Sequence, residues 1–599
     1  MTSAIRQTLP LLAFAACAFA QTARASSFGY IPDEWPVPRR APAAKMRPLS
    51  ASSDCESIPS SYDSRDYGLV TPVKDQGDYD TCWAFSALAS LEASIIKAGH
   101  PLPDLSEHNL ANLHGMDSSP ISSASFATAA AYLTRWTGAV LESQDPYPQS
   151  GNTESEFGTS VQRAPAYHVQ NVVMIAPRES NTDNDALKQA VMQYGAVSVS
   201  FFMTDDAKCH KSANGAFYAG ADNQPNHAVA LVGWDDNYSR NNFAKVPYGD
   251  GAWLVKNSWG ASTDDAGYLH VSYYEPSFAL QPSYAFVVAA DDEDYTGVYG
   301  YDALGCCGVR GTGTNGCRRF GAAMFTAIGE EDLMAVGTYM ATDTTEYQIF
   351  VYTNCTYASP TSGTCVINEQ CGVSGFTGFK TIHLDTPVRL SPGTTFSVVI
   401  GLRCPDFGSP IAYEYPKAGA SKASAMPGQT FIGMTKTAMS DFTSVVSNAS
   451  FCCKAYVKTV ASAERARSAP PGEDLSQYMD WMATNHVDWL DQTSSSAGAA
   501  CNLFGANGWS LWGSFVAGLS PEIPESDLKV FITLTNGVPH ISWSPDLNTN
   551  GIVRQYTVLG RPDLSDASDW APATDAHRFF KVRVDIPDAP PPDDAFDQD

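Results

Sequence analysis

The chain has 599 residues, of which 44% are hydrophobic and 17% charged, and a formal net charge of −27 at pH 7. That length exceeds what one hydrophobic core organises, so several domains are expected. The strong negative charge argues against nucleic acid as a partner and disfavours tight binding to an anionic membrane.

In chain order, residues 1–25 read as a secretory signal. Arg6 supplies the positive end, Leu9 to Ala20 is apolar, and Ala18-Phe19-Ala20 or Ala23-Arg24-Ala25 offers a small-residue cleavage site. The apolar run is too short to span a bilayer, and no later segment is long enough, so a secreted or cell-surface protein without a transmembrane segment is expected. A lipoprotein reading through Cys17 is weakened by Phe14, which suits a lipobox poorly. Residues 26–60 carry several prolines and the basic pair Arg39-Arg40, and read as a short propeptide or a polar linker. Of 14 cysteines, loss of Cys17 leaves thirteen, and setting Cys82 aside leaves twelve, an even number suited to disulfides in an oxidising compartment.

The next segment is the informative one. Gln76 stands six residues before Cys82-Trp83, and Cys82 to Lys97 carries Phe85, Leu88, Leu91 and Ile95 at helical spacing. Asp80 reads as the N-cap and Gly99 as the stop. Downstream, His227 begins the apolar run Ala228 to Val232, a buried strand. A second apolar strand, Ala252 to Val255, leads into Asn257-Ser258-Trp259-Gly260. The polar stretch Asp235 to Gly251 between them reads as a surface loop.

In the order Gln, Cys, His, Asn, these motifs resemble the papain-like cysteine peptidases, family C1. The resemblance covers about Ser61 to Pro276 and implies a two-lobed α+β protease domain, 61–280. His227 lies 145 residues after Cys82, within the papain-type range of about 130–150. Asn257 comes 175 residues after, the excess falling in the 235–251 loop. The chemistry fits these residue types. Cys82 in a first helical turn meets unpaired N–H groups and the helix dipole, which favour a thiolate. His227 would be its proton acceptor, and Asn257 would fix the imidazole tautomer, with Trp259 packed over that contact. Gln76 and the Cys82 N–H would face the developing oxyanion, and Trp83 supports the nucleophile. No cofactor and no metal are implied. Leu105-Ser106-Glu107-His108-Asn109-Leu110, Asp145-Pro146-Tyr147 and Gly267-Tyr268 resemble further family segments, with packing and turn roles. Two departures stand out. Tyr79 occupies a position where many members have a cysteine, and Ser122-Ser123-Ala124 stands near the family's Gly-Gly pair, which puts subsite inference in doubt.

From residue 281 to 460 the pattern changes to short β-rich runs, Met334 to Tyr339, Tyr347 to Tyr352 and Thr394 to Ile400, suited to an all-β sandwich. Tyr301 to Gly305, Met324 to Ala327 and Cys453 to Tyr456 resemble the lectin-like domain that follows certain bacterial C1 peptidases. That implies a bacterial source and glycans as a second partner class beside protein or peptide substrates; no residue marks a sugar site, and a structural or substrate-presenting module is the equal alternative. Residues 461–524 read as a linker with a helix over Asp474 to Leu490. Residues 525–588 form a small β module with a hairpin at Asn536-Gly537 and a strand over Arg578 to Ile586, followed by the acidic tail 589–599. The loop from Asp546 starts like a calcium site but has Thr557 at its twelfth position, where a bidentate Glu is needed. The sequence therefore reads as a secreted cysteine endopeptidase. The rival is an inactive adhesin or glycan-binding protein on a protease scaffold.

Overall fold

A computed structural model describes residues 29–32, 57–148, 151–289 and 295–460, and five strands between 529 and 585. The expected signal, the Arg39-Arg40 pair, the 461–524 linker with its helix, the Asn536-Gly537 turn, the Asp546 loop and the acidic tail lie outside the described residues.

The helix Cys82–Lys97 lies where its apolar spacing put it, with Leu88, Leu91 and Ile95 buried; each such side chain contributes about 1.5–3 kcal/mol. The residue ahead of it is Thr81, not Asp80, and it makes no side-chain cap. The Thr81 hydroxyl is engaged 2.7 Å from the Tyr147 hydroxyl instead. Ala98 closes the helix, and Gly99, at φ +95°, turns the chain away. Nearly every face of this helix is buried. Small polar side chains make that tolerable by bonding to neighbouring backbone: Ser86 Oγ donates to Val229 O at 2.8 Å, Ser90 Oγ to Ala196 O at 3.0 Å, and Ser198 Oγ to Ser86 O at 2.9 Å.

On one side of this helix stand the shorter helices Glu107–Leu113 and Phe126–Thr134. On the other stands a sheet whose order runs Val169–Ile175, Ser283–Val288, Val197–Phe201, His227–Asp235, Ala252–Lys256 and Tyr268–Ser272. This is the expected α+β arrangement of two lobes. The strand Ser283–Val288 pairs with Val169–Ile175 inside that sheet, so the first unit continues past the expected change of character at residue 281.

The second unit is an all-β sandwich. One layer contains Gly297–Gly300, Cys453–Thr459, Glu331–Met340 and Thr377–Leu390; the other runs Thr364–Val373, Glu346–Thr353, Thr395–Arg403, Arg319–Thr326, Thr430–Thr435 and Ala438–Asp441. Val336, Ile382, Val351, Phe396, Val398 and Ile400 belong to the core between them. The first layer is continuous with the sheet of the protease-like unit, because Thr377, Gly378 and Phe379 pair with Met174, Val173 and Val172. Gly378, at φ +126°, is required there, since a Cβ would sit 2.0 Å from Val172 O.

Cys82 and ten of the twelve cysteines expected to pair are free thiols among the described residues; the other two, Cys55 and Cys501, lie outside them. A count carries no geometry, and a disulfide needs two facing Cβ atoms about 3.5–4.5 Å apart. Cys365 and Cys371, for example, are exposed positions on one strand, Thr364–Val373. In the C-terminal region, Lys529–Thr535 pairs with Val538–Ser544, and Gln555–Arg561 pairs with Ala571–Pro572 and Phe579–Asp585. Among the described residues no helix is long and apolar enough to cross a membrane.

Candidate active site

Cys82 is the first residue of its helix and is fully buried. Thr81 makes no side-chain cap, and the backbone N–H groups of this helix start and the helix dipole favour negative charge at the sulfur. Trp83 Nε1 donates to Ser122 O at 3.2 Å, which ties the helix start to the 119–124 turn.

His227 begins the strand His227–Asp235, and the N–H of the next residue, Ala228, donates to Cys82 Sγ at 3.3 Å. That bond seats the strand end against the helix terminus. His227 Nε2 is 2.9 Å from Asn257 Oδ1. The same oxygen accepts the Ser258 N–H at 2.9 Å, which fixes the amide orientation, so Nε2 carries the proton in the neutral ring. Trp259 stacks on the imidazole, centroids 4.8 Å apart at 27°, and Phe201 meets it edge-on at 5.9 Å.

Gln76 is buried beside Ser258. Its N–H donates to Ser258 O at 2.8 Å, its Nε2 to Tyr79 O at 2.7 Å, and its Oε1 accepts from Ser258 Oγ at 2.6 Å. The structure thus brings together Cys82, His227, Asn257, Gln76, Trp259 and Trp83. Ser258 was visible in the sequence only as part of a motif; its link to Gln76 is long-range and carries no local signal.

One participant had no sequence signature. Residues 29–32 lie across the site. Tyr30 N–H donates to Asn226 O at 3.1 Å, Ile31 N–H to Ala124 O at 3.0 Å, and Ala124 N–H to Gly29 O at 3.4 Å, a parallel bridge between Tyr30 and Ala124. The segment therefore bonds to the helical lobe through Ala124 and to the sheet lobe through Asn226. Gly29, at φ +103°, rests directly over the thiol, where an added Cβ would stand 3.0 Å from Cys82 Sγ and 2.6 Å from Asp80 C. Tyr30 is buried and packs its ring on Phe126 at 4.9 Å. Burial under this segment pushes the Cys82 thiol well above the usual range, against the N–H donors of Ala228 and Trp83, which pull it down.

Beneath the site, Lys74 Nζ bridges Glu92 at 3.2 Å, Glu107 at 3.0 Å and Asp104 at 2.9 Å, and Lys256 Nζ donates to Thr71 Oγ1 at 2.7 Å. Ser106 caps the helix Glu107–Leu113 by accepting the Asn109 N–H, and His108 Nδ1 is 2.7 Å from Asp145 Oδ1. These are packing roles, as expected for that segment.

Residues 58–284 match the family model described as papain family cysteine protease, and residues 298–457 match that described as lectin like domain. Cysteine proteinase B of Leishmania mexicana is 31% identical over 223 residues, 37% of this chain and 46% of that protein. Cathepsin K of Mus musculus is 31% identical over 214 residues, 35% of this chain and 59% of that protein. The chain thus spans about half the length of the curated relatives it matches. Among solved structures, the clostridial cysteine protease Cwp84 after propeptide cleavage aligns with a TM-score of 0.58 at 27% identity, over 67% of this chain and 99% of that one. The cysteine protease and lectin-like domains of Cwp84, a surface layer associated protein of Clostridium difficile, align with a TM-score of 0.56 at 27% identity, over 69% and 91%. The fold is accordingly papain-like, followed by a lectin-like domain.

Proposed function

We propose that this chain is an exported cysteine endopeptidase, held latent by its own residues 29–32. The observation that carries the reading is the Ala228 N–H on Cys82 Sγ together with the His227–Asn257 contact, which supports His227 as a proton acceptor of fixed tautomer for a thiol at a helix terminus. In this reading His227 takes the Cys82 proton, and the thiolate attacks the scissile carbonyl. The Cys82 N–H and Gln76 stabilise the oxyanion; the scissile C–N bond then breaks as His227 gives its proton to the leaving amine, and water hydrolyses the resulting thioester to the acid and the free thiol. Protein or peptide substrates follow from this chemistry; the lectin-like match supports glycans as a second class of partner. Export to the cell surface or beyond is supported by the signal-like first 25 residues and by the surface-layer association of Cwp84.

Latency follows from the geometry of residues 29–32, whose backbone takes the hydrogen-bonding edges of both lobes while Gly29 covers the sulfur. The test compares the full chain with its Cys82→Ala variant on denatured casein, under reductant, before and after limited proteolysis of the N-terminal segment. Cleavage by the processed wild type only, abolished by a thiol alkylator, is the expected result. Equal cleavage by both proteins, or none by either after processing, would overturn the reading and favour a glycan-binding protein on a protease scaffold.

A further inference from the structure

We infer that the lectin-like domain forms part of the wall of the substrate cleft: it buttresses the 113–124 segment, whose edge at Ala124 receives the chain lying over Cys82. This rests on the peptidase reading for its consequence, but not for its test.

Two stretches of the lectin-like domain meet that segment. Leu304, Ala420 and Ala423 are buried together in a small apolar cluster, with Met116 and Cys307 packed against it. Gly115, at φ +82°, lies so close that an added Cβ would be 3.0 Å from Leu304 Cδ2. Around this cluster runs a ring of polar contacts. Asp117 N–H donates to Gly419 O at 3.1 Å, while Asp117 accepts from Ser421 N–H at 2.8 Å and Ser421 Oγ at 2.7 Å. Arg135, at the end of the helix Phe126–Thr134, donates to the carbonyls of Leu113 and His114 on one side and Ala303 on the other. The Asp302–Lys454 ion pair, 2.6 Å and buried, anchors the start of the 302–307 stretch to the lectin-like sheet.

The contact is transmitted a short distance to the site. His114 meets Trp83 edge-on at 5.9 Å, beside the nucleophile. After Asp117 the chain makes a turn in which Ile121 O accepts the Asp80 N–H at 3.0 Å and Ser122 O accepts Trp83 Nε1. It then presents Ala124, whose N–H and C=O hold Gly29 and Ile31. Six residues separate the docked Asp117 from the pairing Ala124, and the turn between them is bonded to the first turn of the nucleophile helix. The residues near the family's Gly-Gly pair thus take part of their position from outside the protease-like unit. Leu304 and Ser421 are positioning residues: they touch neither the thiol nor the segment over it.

The test is residue-resolved hydrogen exchange on the full chain carrying Cys82→Ala, with Leu304→Ala, Ser421→Ala or Ser421→Thr added. Leu304→Ala is expected to speed exchange of the Ile31 and Ala124 amides about tenfold through local opening. Ser421→Ala should act in the same direction by less, Ser421→Thr should restore the original rate, and the strand Val197–Phe201 should be unchanged. Unchanged exchange at Ile31 and Ala124 in both Leu304→Ala and Ser421→Ala would overturn the inference. So would acceleration by Ser421→Ala that is equal in Val197–Phe201. If Leu304→Ala fails to fold, the Ser421 pair decides. None of these readouts needs catalysis, so their failure is distinct from failure of the peptidase reading. In processed chains retaining Cys82, the same substitutions should raise KM several-fold for long peptides while leaving kcat within about two-fold.

Discussion

Ser258 Oγ donates to Gln76 Oε1 at 2.6 Å, and Gln76 Nε2 donates to Tyr79 O at 2.7 Å. The amide is therefore held at both ends, with one N–H left for a ligand. Because Ser258 follows Asn257, one short segment orients both the imidazole and the proposed oxyanion donor. Gln76→Ala should lower kcat about 10²-fold with little change in KM, the signature of an interaction made in the transition state. Ser258→Ala should lower kcat by less, about tenfold, by loosening the same amide. Steady-state kinetics on a peptide substrate with processed protein checks both; a rise in KM at constant kcat would contradict the assignment.

Gly29 is the only residue type that fits over Cys82, since its φ is +103° and a Cβ would press on the Asp80 carbonyl. Gly29→Ala should therefore lift residues 29–32 from the site without touching the catalytic groups. Alkylation of Cys82 by iodoacetamide in the unprocessed chain should then speed up by an order of magnitude or more, and the pH at which it becomes fast should fall. In the parent chain burial raises the thiol's pKa, so reaction should be confined to alkaline pH. Equal alkylation rates in both proteins would remove the segment from any role in latency.

His114 offers a pH test of the domain contact. Burial, with Arg135 and Lys422 nearby, holds it down at about 4, and Met116 N–H donates to its Nδ1, which only the neutral ring accepts. An unfolded histidine titrates near 6.5, so between those values the unfolded chain binds the extra proton. The contribution is fully present above pH 6.5 and is lost as pH falls toward 4; a shift of that size is worth on the order of 3 kcal/mol. Burial also holds His168 at about 4, and it adds a second loss in the same window. Urea midpoints measured from pH 7.5 to 4 should fall, and His114→Gln should flatten part of that slope.

Gly378 carries the pairing between the two sheets, and a Cβ there would collide with Val172 O at 2.0 Å. Gly378→Ala should cost about 2–4 kcal/mol, read as a lowered denaturant midpoint. The wild type should unfold in a single transition across residues 57–460, and the variant should show separation of the two units.

Much of the site was legible because its parts are local patterns. The helical spacing of Leu88, Leu91 and Ile95 set Cys82 at a helix start, and the apolar runs after His227 and before Asn257 gave strand ends. The sandwich strands were visible for the same reason. What the sequence hid is long-range. Nothing around Gly29 or Ala124 announces that they pair. The strand Ser283–Val288 has no mark telling which sheet it joins, so the change of character was set too early. Thr81, not Asp80, stands ahead of the helix, and it makes no cap because a tyrosine 66 residues away claims its hydroxyl. The even cysteine count suggested disulfides, yet parity says nothing about which thiols face each other.

The junction at Thr377–Phe379 has a further consequence. A β-strand with an unpaired edge invites pairing with other chains, and proteins go to some lengths to cover such edges. Here Val172–Met174 and Thr377–Phe379 cover one another. Severed, each half would expose a short row of unsatisfied N–H and C=O groups and become prone to self-association. The accessory half is therefore not a detachable tag, and shortening the chain to its protease-like portion would trade one well-behaved particle for a sticky one.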